Sequence, residues 1–311
     1  MKQPYHIAIL GYGSQGRAWA RNLYDSGYDF TIGIPTGDPS RKVALKDGQK
    51  KITTVRKAVK TADIIVFAFP DHLHGRIYEK QIAPGLRTGA TLVFLHGYSI
   101  HFGIVQPPGN CPVILLAPLG PGLAVREKFL NHDSVAFFYG FHFRETPPTR
   151  SVLKYLIRGL RIDRKKMIKT TFRDEAVGDL FGEQAVLCGG LTRLIKAGYE
   201  TLRGAGLSSD KAYLEVAYQL DLIVDLIKNY GIEGMYRRIS VAARYGSVLS
   251  GPRIIDARVE NEMKKILSEI EDGHFARKLN ALDTEKTRKI DSSIKKMTSP
   301  ALEKSARKFK P

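Results

Sequence analysis

The stretch HIAILGYGSQGRAWARNLYDSG, residues 6–27, decides the fold of the first half of the chain. A short apolar run leads directly into the glycine pattern GYGSQG and then into a helical pattern. In a GxGxxG turn, the first glycine allows a tight turn, the second lets the backbone approach a pyrophosphate, and the third allows close helix–strand contact. The free N–H groups and the dipole at the helix N-terminus would favour the negative pyrophosphate. The stretch therefore predicts a dinucleotide-binding turn, whose candidate cofactor-binding residues are Gly11, Tyr12, Gly13, Ser14, Gln15 and Gly16.

Short apolar runs alternate with helical patterns through the first half of the sequence. The runs that are predicted as strands are residues 6–10, 29–34, 63–69, 90–95, 112–117 and 134–140. Near-continuous apolar strands that alternate with helices are typical of a parallel sheet covered on both faces. We therefore predict an α/β fold with an N-terminal Rossmann-type, doubly wound parallel sheet.

From about residue 171 the pattern becomes helical in period and almost free of β-branched runs. This change predicts an all-helical second domain. We divide the chain into a dinucleotide-binding domain, residues 1–172, a helical domain, residues 173–280, and a basic C-terminal tail, residues 281–311. The tail is poor in aromatic residues and is expected to be a mobile or surface-lying extension.

The net charge is unusually positive, since 49 lysines and arginines face 31 acidic residues, a balance of +18. Nucleic-acid binding is one interpretation of this charge. The preferred interpretation is a basic solvated surface, or one suited to anionic substrates and cofactors. No apolar run approaches the ~18–20 residues needed to cross a bilayer, and the two cysteines form no disulfide or zinc pattern. We expect a cytoplasmic protein without a membrane partner.

The loop after the second predicted strand bears on the choice between NAD and NADP. It reads GIPTGDPSRK, residues 33–42. Asp38 would accept a hydrogen bond from a ribose 2′-hydroxyl, which favours NAD, whereas Ser40, Arg41 and Lys42 would hold a 2′-phosphate, which favours NADP. The sequence leaves both cofactors open.

Two carboxylates lie four residues apart in the apolar segment DLFGEQAVLCGG, residues 179–190. On a helix Asp179 and Glu183 share one face, and a later helical segment carries Glu215, with Gln219 one turn further on. Oxygen ligands with incomplete enclosure suit Mg²⁺, which keeps several waters. The alternative is a surface or salt-bridged pair of helix carboxylates. Candidate cationic partners for such a pair are Arg193 and Lys196.

The sequence resembles the short-form ketol-acid reductoisomerases over roughly residues 1–275. The motifs that carry the resemblance occur in the order found in that family: GYGSQG, LHGYSIHFG (95–103), APLGPG (117–122), DLFGEQAVLCGG, LIKAGYETL (194–202), LIVDLI (222–227), ARYG with SGPRII (243–255) and EDGHFA (271–276). The resemblance implies a Rossmann domain and a knotted helical domain that dimerises, so that the partner subunit completes each active site. It also implies NADPH and two Mg²⁺ ions acting on 2-acetolactate or 2-aceto-2-hydroxybutyrate. An alkyl group migrates and hydride then yields a 2,3-dihydroxy acid, in branched-chain amino-acid biosynthesis.

The family's site residues carry over to particular positions of this sequence. Asp179 matches the aspartate that bridges both metals, and Glu183 matches the glutamate on the first metal. Glu215 matches the glutamate that the other subunit gives to the second metal. Ser240 matches the serine that holds the substrate carboxylate, and His96 matches the histidine near the nicotinamide.

The sequence departs from the family pattern at five positions. Leu119 replaces a lysine that binds substrate oxygens, and its loss removes charge stabilisation where charge develops. Gln219 replaces a fourth acid; its amide would still hydrogen-bond a substrate oxygen but takes away one negative charge. Pro35 and Asp38 replace an arginine and a serine of the NADP loop, and Leu123 replaces a histidine.

Three functions remain open from the sequence. The first is an active ketol-acid reductoisomerase. The second is a diverged relative that reduces another 2-keto acid without migration, which the changes at Leu119 and Gln219 favour. The third is a non-catalytic protein that binds nucleotides or associates with nucleic acid, in which the carboxylate pair would have no obvious use.

Overall fold

The computed structural model describes residues 3–310, and the chain divides between Gly178 and Asp179 into two units. The first unit holds a single eight-stranded sheet in the order β3-β2-β1-β4-β5-β6-β7-β8. The strands are β1 (Ile7–Leu10), β2 (Phe30–Gly33), β3 (Ile52–Thr53), β4 (Ile64–Phe67), β5 (Thr91–Phe94), β6 (Val113–Pro118), β7 (Phe137–Phe141) and β8 (Met167–Lys169). Strands β1 to β6 are mutually parallel, whereas β7 runs antiparallel to β6. The predicted α/β fold with a doubly wound sheet is confirmed. Strands β7 and β8 are parallel to each other and run opposite to the other six, and the short strands β3 and β8 were not indicated by the periodicity.

Each face of the sheet is covered by its own apolar cluster. Ile7 and Ile9 of β1 pack on one side with Trp19, whereas Ala8 and Leu10 pack on the other. All four residues of β1 are fully buried, as expected for a parallel strand covered on both faces.

Helices connect the strands of the first unit. They are α1 (Ser14–Asp25), α2 (Ser40–Lys46), α3 (Val55–Thr61), α4 (His74–Ile77), α5 (Tyr98–His101), α6 (Gly122–Leu130), α7 (Pro147–Leu160) and α8 (Phe172–Phe181), the last of which continues into the second unit. The predicted domain boundary after residue 172 falls at the start of α8. Phe172 is buried in the apolar cluster on one face of the sheet, so the first turns of this helix belong to the first unit.

The second unit is entirely helical in the residues that the structure describes. Its helices are α9 (Gly189–Gly204), α10 (Ser209–Tyr213), α11 (Leu220–Tyr236), α12 (Val241–Ile254), α13 (Ala257–Glu271), α14 (His274–Asn280), α15 (Thr284–Met297) and α16 (Pro300–Lys308). Two π-helical turns, Gly182–Leu187 and Leu214–Tyr218, interrupt the regular helices. No helix within residues 3–310 has the length and apolar character needed to cross a membrane.

The basic tail is helical and docked within the second unit. Lys308 forms an ion pair with Asp210, and the buried Ser305 hydroxyl donates to Asp210 Oδ1 at 2.7 Å. These contacts attach α16 to α10. Of the two alternatives expected for the tail, a mobile or a surface-lying extension, the two helices α15 and α16 agree with the second.

Candidate cofactor and metal sites

The glycine motif forms the turn between β1 and α1. Gly11 has a φ of +95°, and a Cβ there would lie 2.6 Å from the carbonyl oxygen of Ala68. A Cβ on Gly16 would lie 2.5 Å from the Gly11 oxygen, so α1 packs directly on the turn. Around Gly13, in contrast, no described atom lies within 4 Å of the Cβ position. The turn thus leaves an open cradle at the N-terminus of α1, where backbone N–H groups would receive a pyrophosphate.

The side chains of the other motif residues brace this turn. The buried Tyr12 donates its hydroxyl to Asp47 Oδ2 at 3.0 Å. Ser14 Oγ accepts from the backbone N–H of Gly122 at 3.1 Å, and Gln15 Nε2 donates to a carbonyl oxygen of the same loop at 2.8 Å. Gln15 Oε1 is buried and has no hydrogen-bond partner within residues 3–310.

In the loop between β2 and α2, the residue that favours NAD and the arginine that favours NADP have different surroundings. Asp38 is partly buried, and its Oδ1 accepts from the backbone N–H of Ser40 at 2.8 Å. Arg41 donates through Nη1 to the carbonyl oxygens of Ile34, at 3.0 Å, and Thr53, at 3.3 Å. The guanidinium of Arg41 is thus engaged with backbone at the ends of β2 and β3, whereas the second carboxylate oxygen of Asp38 makes no hydrogen bond among the described residues.

A carboxylate and two histidines cluster after β4 and β5. His96 Nδ1 lies 3.5 Å from Asp71 Oδ2, and His74 Nδ1 lies 3.7 Å from Asp71 Oδ1. The buried His74 meets the Phe69 carbonyl oxygen through Nε2, at 2.9 Å, and the Ser99 hydroxyl through Nδ1, at 2.7 Å. Because a carbonyl oxygen only accepts, Nε2 carries the proton, and burial lowers the pKa of His74, which favours its neutral form. Burial opposes ionisation of Asp71, but the hydrogen bond with His96 leads the interactions that lower the pKa of its carboxyl.

The acids of the second half lie where regular helix gives way to π-helical turns. Asp179 is on α8 and partly buried, and the exposed Glu183 lies in the π-helical turn that follows. Glu215 lies in the other π-helical turn, and Gln219 Nε2 donates to its Oε2 at 3.3 Å. Such turns are frequent at functional sites because they re-aim side chains on a helix. Lys196, one of the two candidate partners for the carboxylate pair, lies 3.5 Å from Glu200 instead.

Ser240 has a local role in the structure. It is the N-cap of α12, and its Oγ accepts from the backbone N–H of Ala243 at 3.1 Å. The side chain is exposed, at the positive end of a helix dipole. This position suits an anionic group such as a carboxylate, although the cap alone already accounts for a serine.

The donor set of the helical acids fits a hard divalent cation. Carboxylate oxygens are the ligands that Mg²⁺ prefers. Within residues 3–310 of a single chain, however, no group of three or more histidine, cysteine, aspartate or glutamate side chains is arranged to hold a metal ion.

Two residues that sequence reasoning missed contribute to these sites. Asp47, at the end of α2, accepts from Arg17 Nε at 2.6 Å and Nη2 at 2.9 Å, and this bidentate bond lowers the pKa of its carboxyl. Asp71 lies in the segment PDHLHG, which directly follows the third apolar run, residues 63–69. Its position after the carboxyl end of a strand was a usable signal, whereas Asp47 lies in an ordinary polar run and gave none.

Comparison with known proteins agrees with this architecture along the whole chain. Residues 2–159 match the family model of the acetohydroxy acid isomeroreductase NADPH-binding domain, and residues 172–310 match that of the ketol-acid reductoisomerase C-terminal domain. An NADH-preferring ketol-acid reductoisomerase from an uncultured archaeon superimposes with a TM-score of 0.90 at 34% identity, over 98% of this chain and 93% of that one.

More distant structures share the fold alone. A semialdehyde dehydrogenase NAD-binding protein from Cupriavidus necator has a TM-score of 0.67 at 18% identity, over 87% of this chain and 99% of that one. A pyrroline carboxylate reductase from Plasmodium falciparum has a TM-score of 0.56 at 13% identity, over 85% and 97%. The two family models together with the archaeal structure show that this chain belongs to the ketol-acid reductoisomerase family and is an NAD(P)-dependent oxidoreductase.

Proposed function

We propose that the protein is an Mg²⁺-dependent ketol-acid reductoisomerase that converts 2-acetolactate and 2-aceto-2-hydroxybutyrate into 2,3-dihydroxy acids. The observation that carries this proposal is the match of both halves of the chain, in order, to the two domains of that family. The open cradle at Gly13 and the acids in the π-helical turns add site geometry to it.

The first unit would bind the cofactor, with the pyrophosphate at the N-terminus of α1. We assign a preference for NADH over NADPH. Asp38 would accept from a ribose 2′-hydroxyl and would repel a 2′-phosphate, while the engagement of Arg41 with two backbone carbonyls keeps it from that phosphate. The related archaeal enzyme is described as NADH-preferring, which supports the assignment.

The second unit would hold the metal ions. Asp179 and Glu183 would bind Mg²⁺ from one chain, and Glu215 from a second copy would complete the shell. Bound Mg²⁺ would act as a Lewis acid and template for the substrate's hydroxyl and carbonyl oxygens. The shared site is supported by the resemblance of Glu215 to the glutamate that the other subunit gives to the second metal in the family.

Protein groups would bind the substrate and handle its protons. Ser240 and the N-terminal N–H groups of α12 would hold the substrate carboxylate. The ionised Asp71 favours the His96 tautomer with a proton on Nδ1, which leaves Nε2 to exchange a proton with the substrate. Gln219 Nε2 donates to the Leu214 carbonyl oxygen at 3.2 Å and to Glu215 Oε2 at 3.3 Å, and it would exchange one of these acceptors for a substrate oxygen.

A second candidate is favoured by two side chains. Leu119 is an exposed apolar residue at the end of β6, where the family pattern has a lysine, and Gln219 is neutral where the pattern has an acid. Both changes remove charge near the reacting oxygens. They favour an NAD(P)H- and Mg²⁺-dependent reductase of another 2-keto acid that skips the migration step.

The proposed partner is a second copy of the chain. Large apolar side chains of α11 and α12 are more than half exposed, among them Leu222, Tyr230, Ile232, Val241, Tyr245 and Val248. We assign these side chains to a protein–protein interface, where exposed apolar groups would be covered. A homodimer built on these helices would cover them.

The test is an assay of the purified protein with 2-acetolactate and Mg²⁺, run with NADH and NADPH in parallel. A 2,3-dihydroxy acid product, formed faster with NADH, is the expected outcome. Inert 2-acetolactate with rapid reduction of 3-hydroxy-3-methyl-2-ketobutyrate would replace the first candidate with the second. No turnover of either compound would contradict both.

A further inference from the structure

A basic cavity in the first unit lies apart from the residues assigned to the cofactor and the metal. It has a volume of about 460 Å³ and lies beside the C-terminal ends of α6 and α7. We infer that this cavity is a binding site for a small polyanion that carries two or more phosphate groups. The cations that line it are Lys154, Arg158, Arg161 and Arg164.

These four cations have no acidic partner, whereas the acids of the cavity are already engaged. No carboxylate within residues 3–310 forms an ion pair with any of the four. Asp133 is held by Lys166 and, at 3.3 Å, by Lys128. Asp163 Oδ1 accepts from the backbone N–H of Lys165 at 2.9 Å. Positive charge therefore accumulates at the cavity and would attract an anion.

The cavity is held in shape before any ligand binds. Arg161 lies over the ring of Phe129, with its guanidinium carbon 4.7 Å from the ring centroid, which fixes the direction of that side chain. The two walls are joined through Ser134, whose Oγ accepts from the Asp163 N–H at 3.1 Å and whose carbonyl oxygen accepts from Lys166 Nζ at 3.0 Å. A pre-formed site loses less entropy on binding than a flexible surface would.

The backbone at the cavity carries two unusual residues. Among the described residues, the non-glycine residues with positive φ are His132, at 55°, and Arg161, at 52°, and both line this cavity. Each ends a helix in the left-handed conformation that glycine adopts at lower cost. Side chains kept at positions that favour glycine indicate a use for the side chains themselves.

The chemistry and size of the cavity favour a small phosphorylated compound. Guanidinium groups bind phosphate through paired hydrogen bonds. Arg158 lies in the last turn of α7, where a cation also complements the helix dipole, but Arg161 and Arg164 lie beyond that turn. The volume lies within the range of small-molecule sites, and a concave cavity does not suit an extended nucleic acid.

The test uses tripolyphosphate as the probe and the full-length protein at constant ionic strength. Calorimetry should show binding to the parent that the triple variant R158Q/R161Q/R164Q weakens by at least about tenfold. A control variant, K51Q/R87Q/R150Q, removes the same charge from exposed cations of the same unit. It should bind within about twofold of the parent, because its cations lie outside the cavity. A parallel titration with ATP distinguishes a nucleotide from free polyphosphate as the preferred ligand; binding of either through the cavity arginines supports the inference.

A glycine variant distinguishes the contribution of the Arg161 side chain to binding from its effect on the stability of the fold. Arg161→Gly should raise the melting temperature of the ligand-free protein, because glycine relieves the positive φ, and should still lose the thermal shift given by tripolyphosphate. His132→Gly should raise the melting temperature and keep most of that shift. Unchanged binding by Arg161→Gly would overturn the inference. Equal losses of tripolyphosphate affinity in the triple variant and its control would also overturn the inference. So would tighter binding of a 20-nucleotide RNA, if the triple variant and its control weaken that binding equally.

Discussion

Gly13 and Gly16 lie in one turn but have opposite surroundings. Gly13 has an ordinary φ of −76° and open space at its Cβ position, whereas a Cβ on Gly16 would meet the Gly11 oxygen at 2.5 Å. We expect Gly13→Ala to leave the melting temperature unchanged and to weaken NADH binding by about tenfold or more, roughly 1.4 kcal/mol, because the methyl group fills the cradle. Gly204→Ala, at an equally open glycine in α9, is the matched control and should change neither. Normal NADH affinity in Gly13→Ala, measured by fluorescence titration, would refute the cradle.

Asp38 sets the cofactor preference in our proposal. A serine at this position removes the negative charge of the carboxylate while it keeps a side-chain oxygen for the loop. Serine keeps an oxygen that accepts from the Ser40 N–H, so the loop should be retained. We expect Asp38→Ser to shift the ratio of kcat/KM for NADPH over NADH upward by about tenfold, since the repulsion of a 2′-phosphate is removed. An unchanged ratio would mean that Asp38 only caps α2.

The residues that could be predicted from the sequence are those whose roles are local. The glycine motif was predictable because turn geometry and helix packing act within six residues. Asp47 was not, because its role depends on Arg17, which lies 30 positions away. Asp71 could have been noted from its place after a strand, but its pairing with His96, 25 positions away, does not follow from that signal. The two roles given to Ser240 differ in this respect. Its capping of α12 follows from local sequence rules, whereas its proposed contact with substrate does not.

At the scale of elements, the bond between Asp47 and Arg17 ties α1 to α2 beneath the cofactor turn. Hydrogen bonding to Arg17 holds the Asp47 pKa below its ordinary value of 3.8. A depressed pKa stabilises the fold above pH 3.8, and this stabilisation is lost as the pH falls through the folded value. Because Arg17 is about half exposed, with 46% of its side chain accessible, we expect Asp47→Asn to cost only about 1–2 kcal/mol at pH 7.

Urea unfolding at pH 7 and pH 3 measures this contribution. The difference between the parent and Asp47→Asn should shrink at the lower pH. Asp29→Asn removes the exposed pair with Lys51 and should cost less than about 0.5 kcal/mol at either pH. A difference that does not depend on pH would contradict the assigned role of the carboxylate.

The π-helical turn that carries Glu215 offers a test of the two departures from the family pattern. Gln219→Glu would place a second carboxylate where the amide now lies 3.3 Å from Glu215 Oε2. Two such carboxylates repel each other unless a divalent cation joins them. Combined with Leu119→Lys at an exposed position, this change should tighten Mg²⁺ binding and raise 2-acetolactate turnover by about tenfold or more.

Each single variant is the control for this pair. Gln219→Glu should improve Mg²⁺ affinity alone, and Leu119→Lys should improve turnover alone. A double variant that binds Mg²⁺ normally and gains no turnover would show that these positions do not limit the migration step.

The elements that the sequence did not indicate are short or depend on distant pairing. Strands β3 and β8 have two and three residues, too few for any periodicity. The apolar run of β7 does not show that this strand is antiparallel to β6, because the direction of a strand is set by the path of the chain before it. The basic composition of the tail gave no indication of the contact between Ser305 and Asp210, because composition does not show which residues meet in the fold.

At the scale of the whole molecule, the proposed function requires a second copy of the chain, and the exposed apolar side chains of α11 and α12 offer a surface for it. In a two-fold symmetric dimer, each site would take Asp179 and Glu183 from one chain and Glu215 from the other. Co-expression of Asp179→Ala with Glu215→Ala, under two different affinity tags, yields heterodimers that can be purified by both tags. One of their two sites is then fully intact and the other carries both changes.

We expect these heterodimers to recover about half of the parent activity per dimer, while both variant homodimers stay inactive. Asp179→Ala paired with Glu183→Ala is the matched control: both changes fall on the same side of the site, so neither site is intact and no activity should return. Recovery in both pairings would show that the variants were never fully inactive. No recovery in the first pairing, with heterodimers present and Mg²⁺ saturating, would place all ligands on one chain and remove the shared site.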